Sequence, residues 1–160
     1  ITNQLVNSYK RINEGYEAPR YVSWARNNRS ALVRVPIPKP GKVDSTRIEY
    51  RALDPACNPY LAFSVLLAAG LSGIEQGMSL PPEARVNLYD LSRNEQRNLG
   101  VDSLPDDLSE ALDEMEASSL VRSALGDHIF EWFLRNKRAE WTEYQRQVTP
   151  FELETYLPNW

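Results

Sequence analysis

"RIEYRALDPACNPYLAF", residues 47–63, changes its period partway along. Its first five residues alternate. Arg47, Glu49 and Arg51 fall on one side of an extended chain, and Ile48 and Tyr50 on the other. This is the pattern of a strand with one charged face. Asn58-Pro59 then supplies a helix cap followed by proline at the first helical position. The run after it, "YLAFSVLLAAGLSGIEQG" (60–77), is apolar nearly all round and ends on Gly77, a helix stop. Such a helix belongs at the centre of a core. The stretch therefore predicts a boundary near residue 57, with strands before it and helices after it.

Upstream, "YVSWA" (21–25) and "SALVRVPIP" (30–38) alternate well enough to be strands, and Pro36, Pro38 and Pro40 break the second. "KPGKVDS" (39–45) is a polar turn leading into the charged strand. Downstream, a helix is expected from Pro105-Asp106-Asp107, with Leu108, Leu112 and Met115 on one stripe. A short helix follows Ser118-Ser119, and Asp127 caps a last one, "HIFEWFLRNKRAEWTEYQRQ". There Phe130, Phe133, Leu134, Trp141 and Tyr144 recur at helical spacing, as core or as a subunit contact. Between the helices, residues 81–105 read as mostly irregular, a length usually kept for function or an interface. The fold class is α+β: antiparallel strands in the first third (1–57), a helical region (58–148) and an apolar tail (149–160), all parts of one domain.

The 160 residues are 42% hydrophobic and 25% charged, an ordinary globular balance. The net charge of -4 hides an asymmetry, because residues 1–51 hold 10 Lys/Arg against 4 Asp/Glu. Those cations are single arginines among apolar residues rather than a lysine run. They suit pockets for small anions better than a nucleic-acid surface. One cysteine, Cys57, excludes an internal disulfide framework and suits a reducing, cytoplasmic setting. The long uncharged stretch from Cys57 to Ile74 is marginal for a bilayer and reads as a buried helix, so no membrane is expected. Asn28-Arg29-Ser30 fits a glycosylation acceptor but has no secretion signal to support it. The chain opens on Ile1 in mid-pattern and reads as a piece of a longer protein.

The candidate chemistry lies in the basic third. The loop "EGYEAP" (14–19) carries Glu17, and Arg11, Arg26, Arg29, Arg34, Arg47 and Arg51 crowd the strands around it. Unpaired buried charges are costly, so these arginines either face water or surround anionic ligands. Guanidinium forks match carboxylates and phosphates. Glu49 between cations is a poor general base, because nearby positive charge lowers its pKa. It suits a hard metal instead, Mg²⁺ or Mn²⁺ shared with phosphates. A solvated strand with weak ion pairs is the plainer alternative.

"NSYKRINEGYEAP", "NRSALVRVP", "RIEYRALDPACNPYLAF" and "NLYDL" together resemble the C-terminal part of the catalytic domain of a type I glutamine synthetase, and the C-terminal segment resembles an actinobacterial-type subgroup. The resemblance implies ATP-dependent joining of ammonia to the γ-carboxylate of glutamate through a γ-glutamyl phosphate. On that likeness Glu17 is the flap acid that deprotonates ammonium, and Arg11 and Arg51 hold glutamate. Arg29 stabilises the transferring phosphoryl group, with Arg34 and Arg47 beside it on the ATP phosphates, and Glu49 ligates the metal. Tyr89 corresponds to a tyrosine adenylylated in many bacterial members, though the usual Pro-Pro-Glu-Glu after it is missing. Identical subunits in a dodecamer of two hexameric rings are implied, with the tail crossing between rings. Asn13-Glu14 replaces the family's usual Val-Pro, which leaves open a larger amine such as a polyamine or ethanolamine. A non-catalytic scaffold is a further alternative, but it would need none of these residues.

Overall fold

The computed structural model describes the backbone of residues 1–12, 18–98 and 100–159. After a 3-10 turn at Ser8–Ile12 come three two-residue strands: β1 (Trp24–Ala25), β2 (Val33–Arg34) and β3 (Glu49–Tyr50). Five α-helices follow: α1 (Pro59–Glu75), α2 (Arg93–Asn98), α3 (Leu108–Ala117), α4 (Ser119–Gln145) and α5 (Pro150–Tyr156). Short 3-10 segments lie at Val43–Ser45, Leu88–Asp90 and Leu157–Asn159. A small sheet followed by helices is the expected class.

The sheet order is β1-β2-β3. β2 and β3 are antiparallel, with Val33 opposite Tyr50 and Arg34 opposite Glu49. β1 and β2 are parallel, with Trp24 beside Val33 and Ala25 beside Arg34, which corrects the expected fold class of antiparallel strands throughout this region. Parallel neighbours usually need a long crossover. Here each strand is about 7 Å long, from a rise of roughly 3.3 Å per residue, so residues 26–32 can double back over that distance. Asn28 shapes the return, its Oδ1 accepting from Ser30 N (2.9 Å) and Ser30 Oγ (2.8 Å).

Tyr9, Ile12, Leu32 and Ala52 from the sheet side form one core with Leu108, Leu112 and Met115 of α3 and Leu125, Phe130 and Leu134 of α4. The α3 stripe is the predicted one. Phe130 and Leu134 of the aromatic stripe are buried, and Phe133 and Trp141 pack against them. α4 is broken at Gly126, whose φ of +72° lies in the left-handed region. It is thus two helices end to end, as the capping residues suggest. In the stretch read as irregular, Leu88–Asp90 and α2 form short turns of helix.

α1 departs from expectation. Asn58 caps it as predicted, accepting from Tyr60 N (3.0 Å) and Leu61 N (3.4 Å). It is not a central core helix among the described residues. It packs on α4 along one side only, and Ala62 is its one buried residue. Phe63 (69% exposed), Leu67, Leu71 and Ile74 (78%) face outward. The all-round apolar pattern correctly reports a helix that needs cover on every side, but among the described residues α4 supplies cover on one.

Candidate active site

Strand pairing builds the charged cluster. In the antiparallel register Arg34 lies directly across from Glu49. Glu49 Oε1 accepts from Arg47 Nη2 (2.7 Å) and Nε (3.1 Å), and Oε2 accepts from Arg34 Nη1 (3.2 Å). The carboxylate is therefore held between two guanidiniums, as its sequence context suggests. The pair differs from the one alternation predicts, which was Arg47 and Arg51. β3 ends at Tyr50, so Arg51 leaves the strand: its N–H donates to Leu32 O (3.0 Å) and its Nη1 to Ala31 O (3.4 Å). The hydrogen bonds from Arg47, reinforced by Arg34, hold the Glu49 carboxyl below its usual range and keep it ionised. Arg34 Nε is buried and has no hydrogen-bond partner among the described residues.

The other candidates make contacts of their own. Arg11 Nη1 donates to Leu53 O (3.0 Å), two residues beyond Arg51. It also faces Asp54, whose carboxyl accepts from Ala56 N (2.8 Å). Burial raises the Asp54 pKa, but the Ser8 hydroxyl, the Ala56 N–H and Arg11 outweigh it and hold the carboxyl below its ordinary value. Arg29 is exposed on the loop between β1 and β2 and borders a pocket with Arg26 and Arg85. Tyr89 is half-buried, its hydroxyl donating to Ala18 O (2.8 Å) and its ring tilted against Tyr21. Burial raises its pKa, only partly offset by hydrogen bonding and by the positive charge of Arg51. Glu17 lies outside the described residues.

The structure thus brings Arg34, Arg47 and Glu49 into direct contact. It anchors Arg11 and Arg51 to backbone carbonyls nearby and sets Arg29 in a separate basic pocket. An ionised carboxylate can give a hard cation one oxygen ligand. Among the described residues no group of three His, Cys, Asp or Glu gathers as a metal cage. A divalent ion would therefore take Glu49 from this set and its remaining oxygens from phosphates, water or other residues. The buried Arg34 Nε matches an anionic oxygen rather than a cation. Arg85 was not singled out by the sequence. The available signal was an unpaired arginine three residues before Leu88 in "NLYDL".

A family model described as glutamine synthetase, catalytic domain, matches residues 1–156. A glutamine synthetase of Mycobacterium tuberculosis (strain ATCC 25618 / H37Rv) is 57% identical over 157 residues, which is 98% of this chain and 35% of that protein. One from Methanocaldococcus jannaschii is 50% identical over 98% of this chain and 34% of its own length. Two solved structures have the same fold. "Apo GmaS without ligand" has a TM-score of 0.80 at 35% identity, covering 98% of this chain and 34% of that one. "GmaS/ADP complex-Conformation 1" has a TM-score of 0.82 at 34% identity, covering 99% and 35%. The mixed sheet, helical remainder and arginine–carboxylate cluster thus lie in a chain matched by the model of the glutamine synthetase catalytic domain. The chain belongs to the glutamine synthetase catalytic-domain family, and it spans about a third of the length of the relatives it matches.

Proposed function

We propose that this protein is an ATP-dependent ligase that joins ammonia to the γ-carboxylate of glutamate. ATP phosphorylates that carboxylate, and ammonia then displaces the phosphate to leave glutamine, ADP and phosphate. The observation that carries this reading is Glu49 held ionised between Arg34 and Arg47 in a chain of this family. A scaffold has no use for that arrangement.

In this reading Arg29, Arg34 and Arg47 bind the ATP phosphates, with Arg29 on the group in transfer. The buried Arg34 Nε supports this, since a phosphate oxygen would satisfy it. Arg11 and Arg51 hold glutamate by forked contacts. Glu49 gives one oxygen ligand to Mg²⁺ or Mn²⁺, which when bound neutralises phosphate charge. Glu17 accepts the proton of ammonium. Tyr89 acts as an aromatic support rather than an adenylylation target, because its hydroxyl is engaged by Ala18. The chain forms the C-terminal part of one catalytic domain, with 1–57 as the flap and strand region, 58–148 helical and 149–160 the tail. Subunits assemble as a dodecamer of two hexameric rings, in the reducing cytoplasm that a single cysteine suits. Among the described residues no helix is long and apolar enough to cross a membrane.

Ammonia is favoured over a larger amine because relatives named glutamine synthetase reach 57% identity over 98% of this chain. An amine screen on the complete polypeptide, following glutamate- and ATP-dependent phosphate release, tests this. Ammonium should give the fastest release, and faster turnover with ethanolamine or a polyamine would reassign the acceptor. Glu17→Gln should lower amide formation roughly 10²–10⁴-fold, the worth of a general base, while glutamate phosphorylation suffers much less. Equal loss of both steps would remove Glu17 from that role.

A further inference from the structure

A pocket of about 560 Å³ has Arg26, Arg29 and Arg85 on its walls, and Arg26 directly follows Ala25, which pairs in the sheet with Arg34 of the Glu49 cluster. Two segments far apart in sequence are fastened together to make it. Arg26 N donates to Glu83 Oε1 (2.8 Å), and Arg26 Nη1 pairs with Glu83 Oε2 (3.3 Å). Asn28 Nδ2 donates to Ala84 O (3.0 Å) and Val86 O (2.6 Å), and Leu88 N donates to Ser30 Oγ (3.2 Å). Trp24 adds a hydrogen bond from its indole to Pro81 O (2.7 Å) and lies under the Arg26 guanidinium. Loop 26–30 is thus held to residues 81–88 by both backbone and side-chain contacts.

The charges inside this frame do not balance. Among the described residues Glu83 is the pocket's one acid, and Arg26 engages it twice. Arg29 and Arg85 have no hydrogen bond or ion pair among the described residues, and neither has the Asn27 amide. Two guanidiniums on one small pocket repel, and the frame holds them together against that repulsion. A multivalent anion removes the repulsion and accepts from both forks.

We propose that Arg85 contacts the phosphates of the bound nucleotide, facing Arg29 across this pocket. The proposal deepens the ligase reading, since it rests on Arg29 serving the phosphates. It extends the phosphate-binding set to the segment preceding Leu88, well outside the strand region. The frame gives Arg85 a fixed backbone without restricting its exposed side chain, which suits closing over an anion that arrives from solvent.

Arg85→Gln and Arg85→Lys in the complete polypeptide test it by calorimetric titration with inorganic tripolyphosphate and with ADP. Arg85→Gln should raise both dissociation constants about tenfold or more, the worth of a charge-assisted hydrogen bond. Arg85→Lys should recover part of the loss, and the KM for glutamate should not change. Arg85 is exposed, so folding should be preserved, with circular dichroism as the check. Charge reversal in Arg85→Glu should weaken binding further. Dissociation constants unchanged in Arg85→Gln overturn the proposal, and so does binding of tripolyphosphate without ADP. Arg85-dependent binding of both by a protein with no ligase turnover supports the pocket and refutes the ligase reading. Ligase turnover with ADP binding indifferent to Arg85 does the reverse.

Discussion

Arg51 differs from its neighbours in how it is held. Its backbone N–H donates to Leu32 O, and its guanidinium reaches Ala31 O and lies close enough to Tyr89 to offset part of the rise that burial causes in that hydroxyl's pKa. A planar fork anchored in this way can take a carboxylate bidentately, and an ammonium cannot. Arg51→Lys should therefore raise the KM for glutamate about tenfold, the loss of one charge-assisted hydrogen bond, and leave the KM for ATP unchanged. A shift confined to ATP would put Arg51 on the nucleotide side. Asp54 tests the same neighbourhood by pH. Its folded pKa is depressed, so the stability it contributes is fully present above the ordinary carboxyl range and lost as pH falls through the folded value. Asp54→Asn should lower the melting temperature at pH 7 and flatten its decline below about pH 4, the region of an unperturbed aspartate. A variant that declines in parallel with the parent would show that other carboxylates govern the acid limb.

Asn58 shows why elements are more legible than their surroundings. A side-chain oxygen three or four atoms from the backbone can satisfy an orphan N–H whatever packs nearby, so the cap of α1 is readable from Asn58-Pro59 alone. Asn58→Ala should cost about 1 kcal/mol, seen in chemical denaturation, and no loss would mean that proline alone sets the helix start. For the same reason the stripe Leu108, Leu112 and Met115 and the break at Gly126 could be anticipated, since both are local. Non-local features could not. Whether β1 lies parallel or antiparallel to β2 depends on how residues 26–32 double back, and strands of two residues leave little periodicity to read. Likewise Glu49 takes Arg34 as a partner through a register that hydrophobic alternation does not record. Arg85 was missed because its pocket depends on Asn28 meeting residues 84–86, contacts more than fifty positions apart in the chain. The arginines themselves were legible because of family motifs, and their grouping only from the folded chain.

Over the whole molecule, two apolar surfaces lack cover among the described residues. One is the outer face of α1, with Phe63, Leu67, Leu71 and Ile74 exposed. Burying side chains of this size is worth about 1.5–3 kcal/mol each, so the face represents a large unrealised stabilisation. The other is the tail. α5 has a complete capping box, in which Thr149 N and Oγ1 donate to Glu152 Oε2 (2.7 Å each) and Glu152 N donates back to Thr149 Oγ1 (3.3 Å). Even so, Phe151, Leu153, Tyr156 and Leu157 stay exposed, and α5 touches mainly the turn that follows it. A seven-residue helix is too short to persist in water on its own caps, since isolated helices under roughly 12–15 residues are marginal. A lasting α5 therefore needs an apolar partner surface, and in the proposed two-ring assembly another subunit supplies it. Truncation of the complete polypeptide after Val148 should reduce the assembly mass measured by light scattering while the far-ultraviolet circular dichroism of the remaining helices stays close to that of the parent. The core of Phe130, Leu134, Leu108 and Leu112 does not involve the tail, so folding should survive. A truncated protein that keeps the parent's mass would show that the tail covers its own subunit and takes no part in holding the rings together.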